Sequence, residues 1–282
     1  MTEILNGNVL AKTIRSKAKS RIKKMKFPPG LAVLLVGENE ASALYVRLKE
    51  EAAKDVGIYI EKFAYSADVK DSELVKKIEE LNVRDDINGI LVQMPLPEQN
   101  ADVVAGAISH LKDVDGFHPE NRRLLLANTP NLVPPVSLAI MRLLQATRRS
   151  LNGKHAVIVG NSEIFAEPLI ELLQDTGVTA AFVRRDVEGL AAITRAADIL
   201  VVAVGEAAFL TRDMVKESAI VIDVGTTKIG RKTVGDAAPE LEGYAGFVSP
   251  VPGGVGPLTI AYLLYNVIKA MEVQKRLRGE SD

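Results

Sequence analysis

The sequence predicts an α/β protein of two domains, the second a Rossmann-like, doubly wound sheet of the dinucleotide-binding kind. Short continuous apolar runs such as Leu31 to Val36, Gly89 to Val92, His155 to Val159 and Ile199 to Val204 recur along the chain. Segments with helical spacing lie between them, and a loop-rich passage from His110 to Pro135 divides the alternation into two series. Buried β runs with interposed helices imply parallel sheets.

In the first series, Val9, Leu10, Ile14, Ala18 and Ile22 recur at helical spacing, and Leu31 to Val36 is a strand ending at Gly37. A helix from Ala41 to Val56 stops at Gly57, Ile58 to Phe63 is strand-like, Ser72 to Leu81 is helical, and Gly89 to Val92 is a short buried strand. A helix from about Ser137 to Ala146 leads into the second series. There, strands over 155–159, 179–183, 199–204 and 219–224 alternate with helices over 164–173 and 190–196, as in a dinucleotide-binding sheet. The last helix, about Leu258 to Leu277, is longer than that domain needs and is expected to return to the first. The domains are therefore placed at 1–136, completed by 258–282, and at 137–257.

Composition narrows the chemistry. The 282 residues can bury a core without staples, and a formal net charge of -1 gives no global pull toward nucleic acid or membrane. With no cysteine, a disulfide framework, a thiolate nucleophile and a cysteine-ligated metal are excluded. His110, His118 and His155 are too scattered to suggest a metal cluster, and no metal is assigned. The first twelve residues carry Glu3 and lack a basic patch followed by an apolar run, so a cytoplasmic setting is the expectation.

One group of polar residues stands out in the first series. Ser42, Tyr45 and Lys49 fall at i, i+3 and i+7 of a helix, so a phenol and an ammonium share one face. Alone, that pattern more often marks a surface helix. Gln93, however, sits just past a buried strand, where parallel sheets present side chains to ligands. Asp113 and Asp115 end at Gly116, either as a plain turn or as binders of a planar edge of N–H donors.

Four segments then carry a resemblance: Ala41-Ser-Ala-Leu-Tyr45-Val-Arg-Leu-Lys49, Gly89-Ile-Leu-Val-Gln93-Met-Pro-Leu-Pro97, Lys112-Asp-Val-Asp-Gly-Phe117-His-Pro119 and Pro250-Val-Pro-Gly-Gly-Val-Gly-Pro257-Leu-Thr259. In this order they resemble the motifs of the bifunctional methylenetetrahydrofolate dehydrogenase/methenyltetrahydrofolate cyclohydrolase family. The resemblance implies that Lys49 is catalytic with Gln93 and Tyr45 beside it, and that Asp115 anchors a pterin ring. It also implies an N-terminal folate-binding catalytic domain, a cleft between the two domains serving both reactions, a homodimer formed through the cofactor domains, and a place in one-carbon and purine metabolism. Pro252, Gly253 and Gly254 are expected to let backbone approach the substrate closely.

The cofactor half departs from that pattern. Gly160-Asn161-Ser162 opens a helix whose free N–H groups suit a phosphate, and Gly160, Ser162 and Pro168 match the family's G-R-S-x-x-V-G-x-P. Asn161 stands where the family has arginine, Phe165 replaces its valine and Ala166 its second glycine. Arg184 and Arg185 follow the second strand, where an adenosine ribose is read, and either can supply the missing cation. With Gly205, Thr226 and Thr227 they complete the expected cofactor residues. The implied cofactor is NADP, with NAD as the alternative. The competing reading is a cyclohydrolase alone, with a degenerate cofactor site.

Overall fold

The computed structural model describes residues 2–230 and 232–280, and the chain divides into two compact units. One comprises residues 12–135 and 260–282, the other residues 1–11 and 136–259. Strands are β1 (Glu3–Ile4), β2 (Gly30–Val36), β3 (Tyr59–Tyr65), β4 (Gly89–Val92), β5 (His155–Gly160), β6 (Thr179–Arg184), β7 (Ile199–Ala203), β8 (Ile220–Asp223), β9 (Thr227–Ile229), β10 (Lys232–Val234) and β11 (Phe247–Val248). Helices are α1 (Gly7–Ile22), α2 (Glu40–Val56), α3 (Asp71–Asn82), α4 (Ala101–Gly106), α5 (Pro119–Leu126), α6 (Pro135–Ala146), α7 (Glu163–Gln174), α8 (Leu190–Arg195) and α9 (Val255–Leu277).

The unit of residues 12–135 and 260–282 is built on a parallel sheet in the order β3-β2-β4. Strand β2 is apolar throughout because both its faces are covered. Leu31, Val33 and Leu35 pack with Ala18, Ile22, Val46, Ala53 and Val56 from α1 and α2, and with Leu264, Val267 and Ile268 from α9. Ala32, Leu34 and Val36 pack on the opposite face with Leu74, Ile78 and Leu81 of α3. Helix α2 starts where the Asn39 side chain accepts the Ser42 N–H at 3.0 Å, and stops at Gly57, whose N–H donates to the Ala53 carbonyl. The second half of α9 is tied in by polar bonds as well. Gln274 donates to the Asn88 and Leu111 carbonyls at 2.8 and 2.9 Å, and Asn266 donates to those of Val114 and Val133 at 2.8 and 2.9 Å.

The other unit holds a six-stranded parallel sheet in the order β1-β11-β8-β7-β5-β6. From β5 the chain moves outward to β6 and then crosses to β7 on the other side. The carboxyl ends of β5 and β7 therefore form the topological switch point at which such sheets bind ligands. Val157, Val159, Leu200 and Val202 line one buried face with Leu210, Val215 and Leu241.

Several elements differ from the sequence reading. The segment 1–136 does not stay together, because β1 pairs with β11, Glu3 opposite Phe247, and residues 1–11 belong with the dinucleotide-type sheet. Two residues of strand carry no readable periodicity. The loop-rich passage contains α5, started by Pro119 in its first turn and by His118, whose Nδ1 accepts the Glu120 N–H at 3.0 Å. The β9–β10 hairpin is antiparallel and mostly exposed, so no apolar alternation marks it.

Candidate active site

Lys49 projects from α2 toward the carboxyl edge of the β3-β2-β4 sheet. There the Gln93 N–H prolongs the β2–β4 ladder by donating to the Leu34 carbonyl at 2.9 Å. This fixes the backbone of Gln93, and its side-chain N–H donates to the Met94 carbonyl at 2.7 Å. The amide is thereby oriented with Oε1 toward the amine, and Lys49 Nζ donates to it at 2.9 Å. Tyr45, one turn earlier on the same face, is half-buried.

The two aspartates separate by role. Asp113 is buried and satisfied. Its carboxylate accepts the N–H of Gly116 at 3.1 Å, the N–H of His118 at 2.8 Å and the Asn121 side-chain amide at 3.2 Å. It organises the turn and the start of α5. Gly116 has φ +73°, and a Cβ there would lie 2.7 Å from the Pro134 nitrogen, so only glycine fits. Asp115 is left facing Lys49 electrostatically. Burial pushes its carboxyl up to about 6, against the pull of Lys49 and with Asp113 adding to the rise. Burial also lowers the Lys49 amine, with Asp115 opposing. Both groups are thus shifted toward their neutral forms, the result expected when a cation and an anion are removed from water together. Of the expected substrate-side residues, Lys49, Gln93 and Asp115 come together, with Tyr45 on the same helix face. Pro252, Gly253 and Gly254 lie in the other unit, in the turn between β11 and α9, where the Gly254 N–H donates to the Pro250 carbonyl at 2.7 Å.

In the six-stranded sheet, β5 ends at Gly160, and Asn161 and Ser162 lead into α7. The Ser162 hydroxyl caps the helix by accepting the Phe165 N–H at 3.3 Å. The remaining first-turn amides of α7 have no helical acceptor, which makes this turn able to hold a phosphate. Asn161 bridges the switch point by donating its side-chain N–H to the Val204 carbonyl at 3.1 Å. Arg184 pairs with Asp186 at 3.5 Å, and Arg185 pairs with Glu206. Thr226 is exposed beyond β8, and Thr227 opens β9. A nucleotide cofactor fits these residues: a glycine turn and a capped helix start lie at the switch point, and Arg185 is tied to that turn by its N–H, which donates to the Gly160 carbonyl at 3.3 Å.

The sequence reading gave no role to Asp223 or Asp236. Asp236 is fully buried and accepts three successive amides after β7: Val204 at 2.6 Å, Gly205 at 3.0 Å and Glu206 at 2.9 Å. Asp223, at the end of β8, accepts the N–H groups of Gly225, Asp236 and Ala237 at 2.9, 3.1 and 2.8 Å. Burial raises Asp223 to about 6 against these bonds, with nearby Asp236 adding to the rise. A Cβ on Gly235 would fall 1.9 Å from Asp223 Oδ2, and one on Gly225 would fall 2.1 Å from Asp236. Only a carboxylate closing a buried strand, followed two residues later by glycine, hints at this pair in the sequence.

A dinucleotide-type parallel sheet and a second α/β unit bearing a desolvated amine, an oriented amide and a carboxylate define a two-domain, nucleotide-dependent enzyme. Two family models match the chain: the catalytic domain of tetrahydrofolate dehydrogenase/cyclohydrolase over residues 5–115, and its NAD(P)-binding domain over residues 134–275. The bifunctional protein FolD of Streptococcus equi subsp. zooepidemicus is 43% identical over 277 residues, covering 96% of this chain and 98% of that protein. The crystal structure of the bifunctional FolD methylenetetrahydrofolate dehydrogenase/cyclohydrolase of Campylobacter jejuni superposes with a TM-score of 0.92 at 37% identity, covering 97% of this chain and all of that one. The Trypanosoma brucei enzyme, solved with NADP and an inhibitor, gives a TM-score of 0.92 at 30% identity, covering 98% and 99% of the two chains. The chain belongs to the tetrahydrofolate dehydrogenase/cyclohydrolase family.

Proposed function

We propose that this chain oxidises 5,10-methylenetetrahydrofolate with NAD(P) and hydrolyses the methenyl product to 10-formyltetrahydrofolate. The observation that carries the reading is Lys49, desolvated and held 2.9 Å from an amide that is itself fixed at a sheet edge, with Asp115 beside it.

The methenyl substrate is a cationic amidinium, and water must add to its one-carbon bridge. As the carbon–oxygen bond forms, a proton has to leave the water. Lys49, whose neutral form is favoured by burial, accepts it while the amidinium electrons return to nitrogen; the carbon–N5 bond then breaks, the hydroxyl proton is lost as the formyl carbonyl forms, and N5 is protonated as it leaves. A bound cation near the amine strengthens that bias, because two positive charges repel in a site removed from bulk water. Gln93 Oε1 keeps the amine in place, which preserves its geometry through the proton transfer. Asp115 supplies the carboxylate that pairs with adjacent N–H donors of the pterin. When bound, NAD(P) supplies the hydride acceptor for the methylene bridge. Gly160, Asn161, Ser162, Arg184, Arg185, Gly205, Thr226 and Thr227 are the residues assigned to hold it. A homodimer and supply of formyl groups to purine synthesis rest on the family resemblance. Among the described residues no helix is long and apolar enough to cross a membrane.

The test is Lys49→Met assayed for both half reactions. The hydrolysis should fall by at least about a hundredfold, the scale of a positioned acid–base group. Full cyclohydrolase rate in that variant would overturn the assignment. Parallel oxidation assays with NADP and NAD separate the bifunctional reading from a cyclohydrolase alone.

A further inference from the structure

Resting on the NAD(P) reading, we propose that Glu206 determines the choice between the two dinucleotides. By holding Arg185 it withdraws a cation from the ribose 2′-position and tilts the site toward NAD.

In a doubly wound sheet the adenosine ribose is read just past the second strand of the nucleotide half. Here that strand is β6, and Arg185 immediately follows it. The Arg185 N–H donates to the Gly160 carbonyl at 3.3 Å, tying this residue to the glycine turn. Its guanidinium carbon lies 5.1 Å above the Phe209 ring, and its terminal nitrogen pairs with Glu206. An aromatic face and a carboxylate thus hold the guanidinium from two sides.

Glu206 does not hold this position by chance of side-chain rotation alone. Its own N–H donates to Asp236 at 2.9 Å, and the preceding Gly205, at φ +77°, donates to the same carboxylate. The loop after β7 is therefore anchored from beneath, and its exposed glutamate is aimed across the switch point. Arg184, the other cation at this edge, is paired with Asp186. Two arginines and two carboxylates give this edge a net charge of zero. A 2′-phosphate, carrying about −1.5 to −2 at neutral pH, meets neutralised cations and an adjacent carboxylate. A 2′-hydroxyl is uncharged, needs no cation and is not repelled by this neutralised edge.

The experiment is calorimetric titration of the purified chain with NADP and with NAD, alongside the melting temperature with each. Glu206→Gln keeps the side-chain volume and frees Arg185. Its Kd for NADP should fall about tenfold, the size of one gained charge-assisted bond, while that for NAD stays within about twofold. The gain should shrink as salt is raised, and should vanish when Arg185→Ala is added. A purely structural role for Glu206 would weaken both cofactors together and show no such salt dependence. An unchanged NADP-to-NAD ratio in Glu206→Gln overturns the proposal alone. A wild-type chain that binds neither dinucleotide overturns the cofactor reading and the proposal with it.

Discussion

Asp115 and Asp113 stand two residues apart in one glycine turn and do different work. Nothing in Asp-Val-Asp-Gly tells them apart, because the groups that satisfy Asp113 come from His118 and Asn121 at the start of a helix the sequence does not announce. Lys49 and Gln93 were legible, since helical spacing and a strand end place each one independently. The Asp115 carboxyl, raised by burial to about 6, makes a pH prediction. If its ionised form holds the pterin, the neutral form gains population as pH falls through 6, and substrate affinity falls with it. KM for the methenyl substrate should therefore rise between pH 7 and pH 5, bending near 6. Asp115→Asn should raise KM at every pH and remove the bend. A wild-type KM flat across this range would separate Asp115 from folate binding.

At the level of elements, the loop after β7 owes its shape to a carboxylate thirty residues away. Asp236 accepts three consecutive amides, and Asp223 in turn accepts the Asp236 N–H, so two strand ends and a hairpin are fixed by a pair of buried acids. Such a link joins distant residues and leaves no periodic trace, which is why the strands and helices here could be read from apolar spacing and this bracket could not. The strands β1 and β11 are too short to show a period, and the β9–β10 hairpin is mostly exposed, so apolar spacing marks neither. Gly235 is the point at which the bracket is most sensitive. An added methyl would sit 1.9 Å from Asp223 Oδ2, which accepts the Ala237 N–H and belongs to a carboxylate whose other oxygen is held by Gly225 and Asp236, so the group cannot retreat without breaking these bonds. Gly235→Ala should cost about 1–3 kcal/mol, the usual penalty of overpacking, as a lower urea midpoint with little change in slope. Asp236→Asn places an N–H donor against backbone N–H donors and should lose about as much. Wild-type midpoints in both variants would show that the loop is held by other means.

Across the whole molecule, the chain leaves the dinucleotide-type unit after residue 11, returns to it at 136 and leaves again after 259, and its first residues complete that unit's sheet. Glu3 donates to the Gly246 carbonyl and Leu5 to that of Val248, both at 2.9 Å, while the Thr2 hydroxyl donates to the Ala245 carbonyl at 2.6 Å. Without this strand, β11 would be the sheet's edge, two residues long and apolar, with unpaired backbone facing water. Leu5, directly after this strand, is 3% exposed, so its side chain is buried in the folded chain. Leu5→Ala should cost about 2–5 kcal/mol, the range for removing a buried leucine. The loss has a location as well as a size. Among the described residues β1 pairs with β11 alone, and β11 continues the ladder onto β8, with the Ser249 N–H donating to the Val221 carbonyl. Hydrogen exchange in Leu5→Ala should therefore quicken first at Phe247, Val248 and Ser249, and least at Leu31 to Leu35 of β2, which lies in the other unit. Uniform quickening in both sheets would mean that the molecule opens as one body; unchanged exchange at 247–249 would mean that the first strand adds nothing to the sheet it joins.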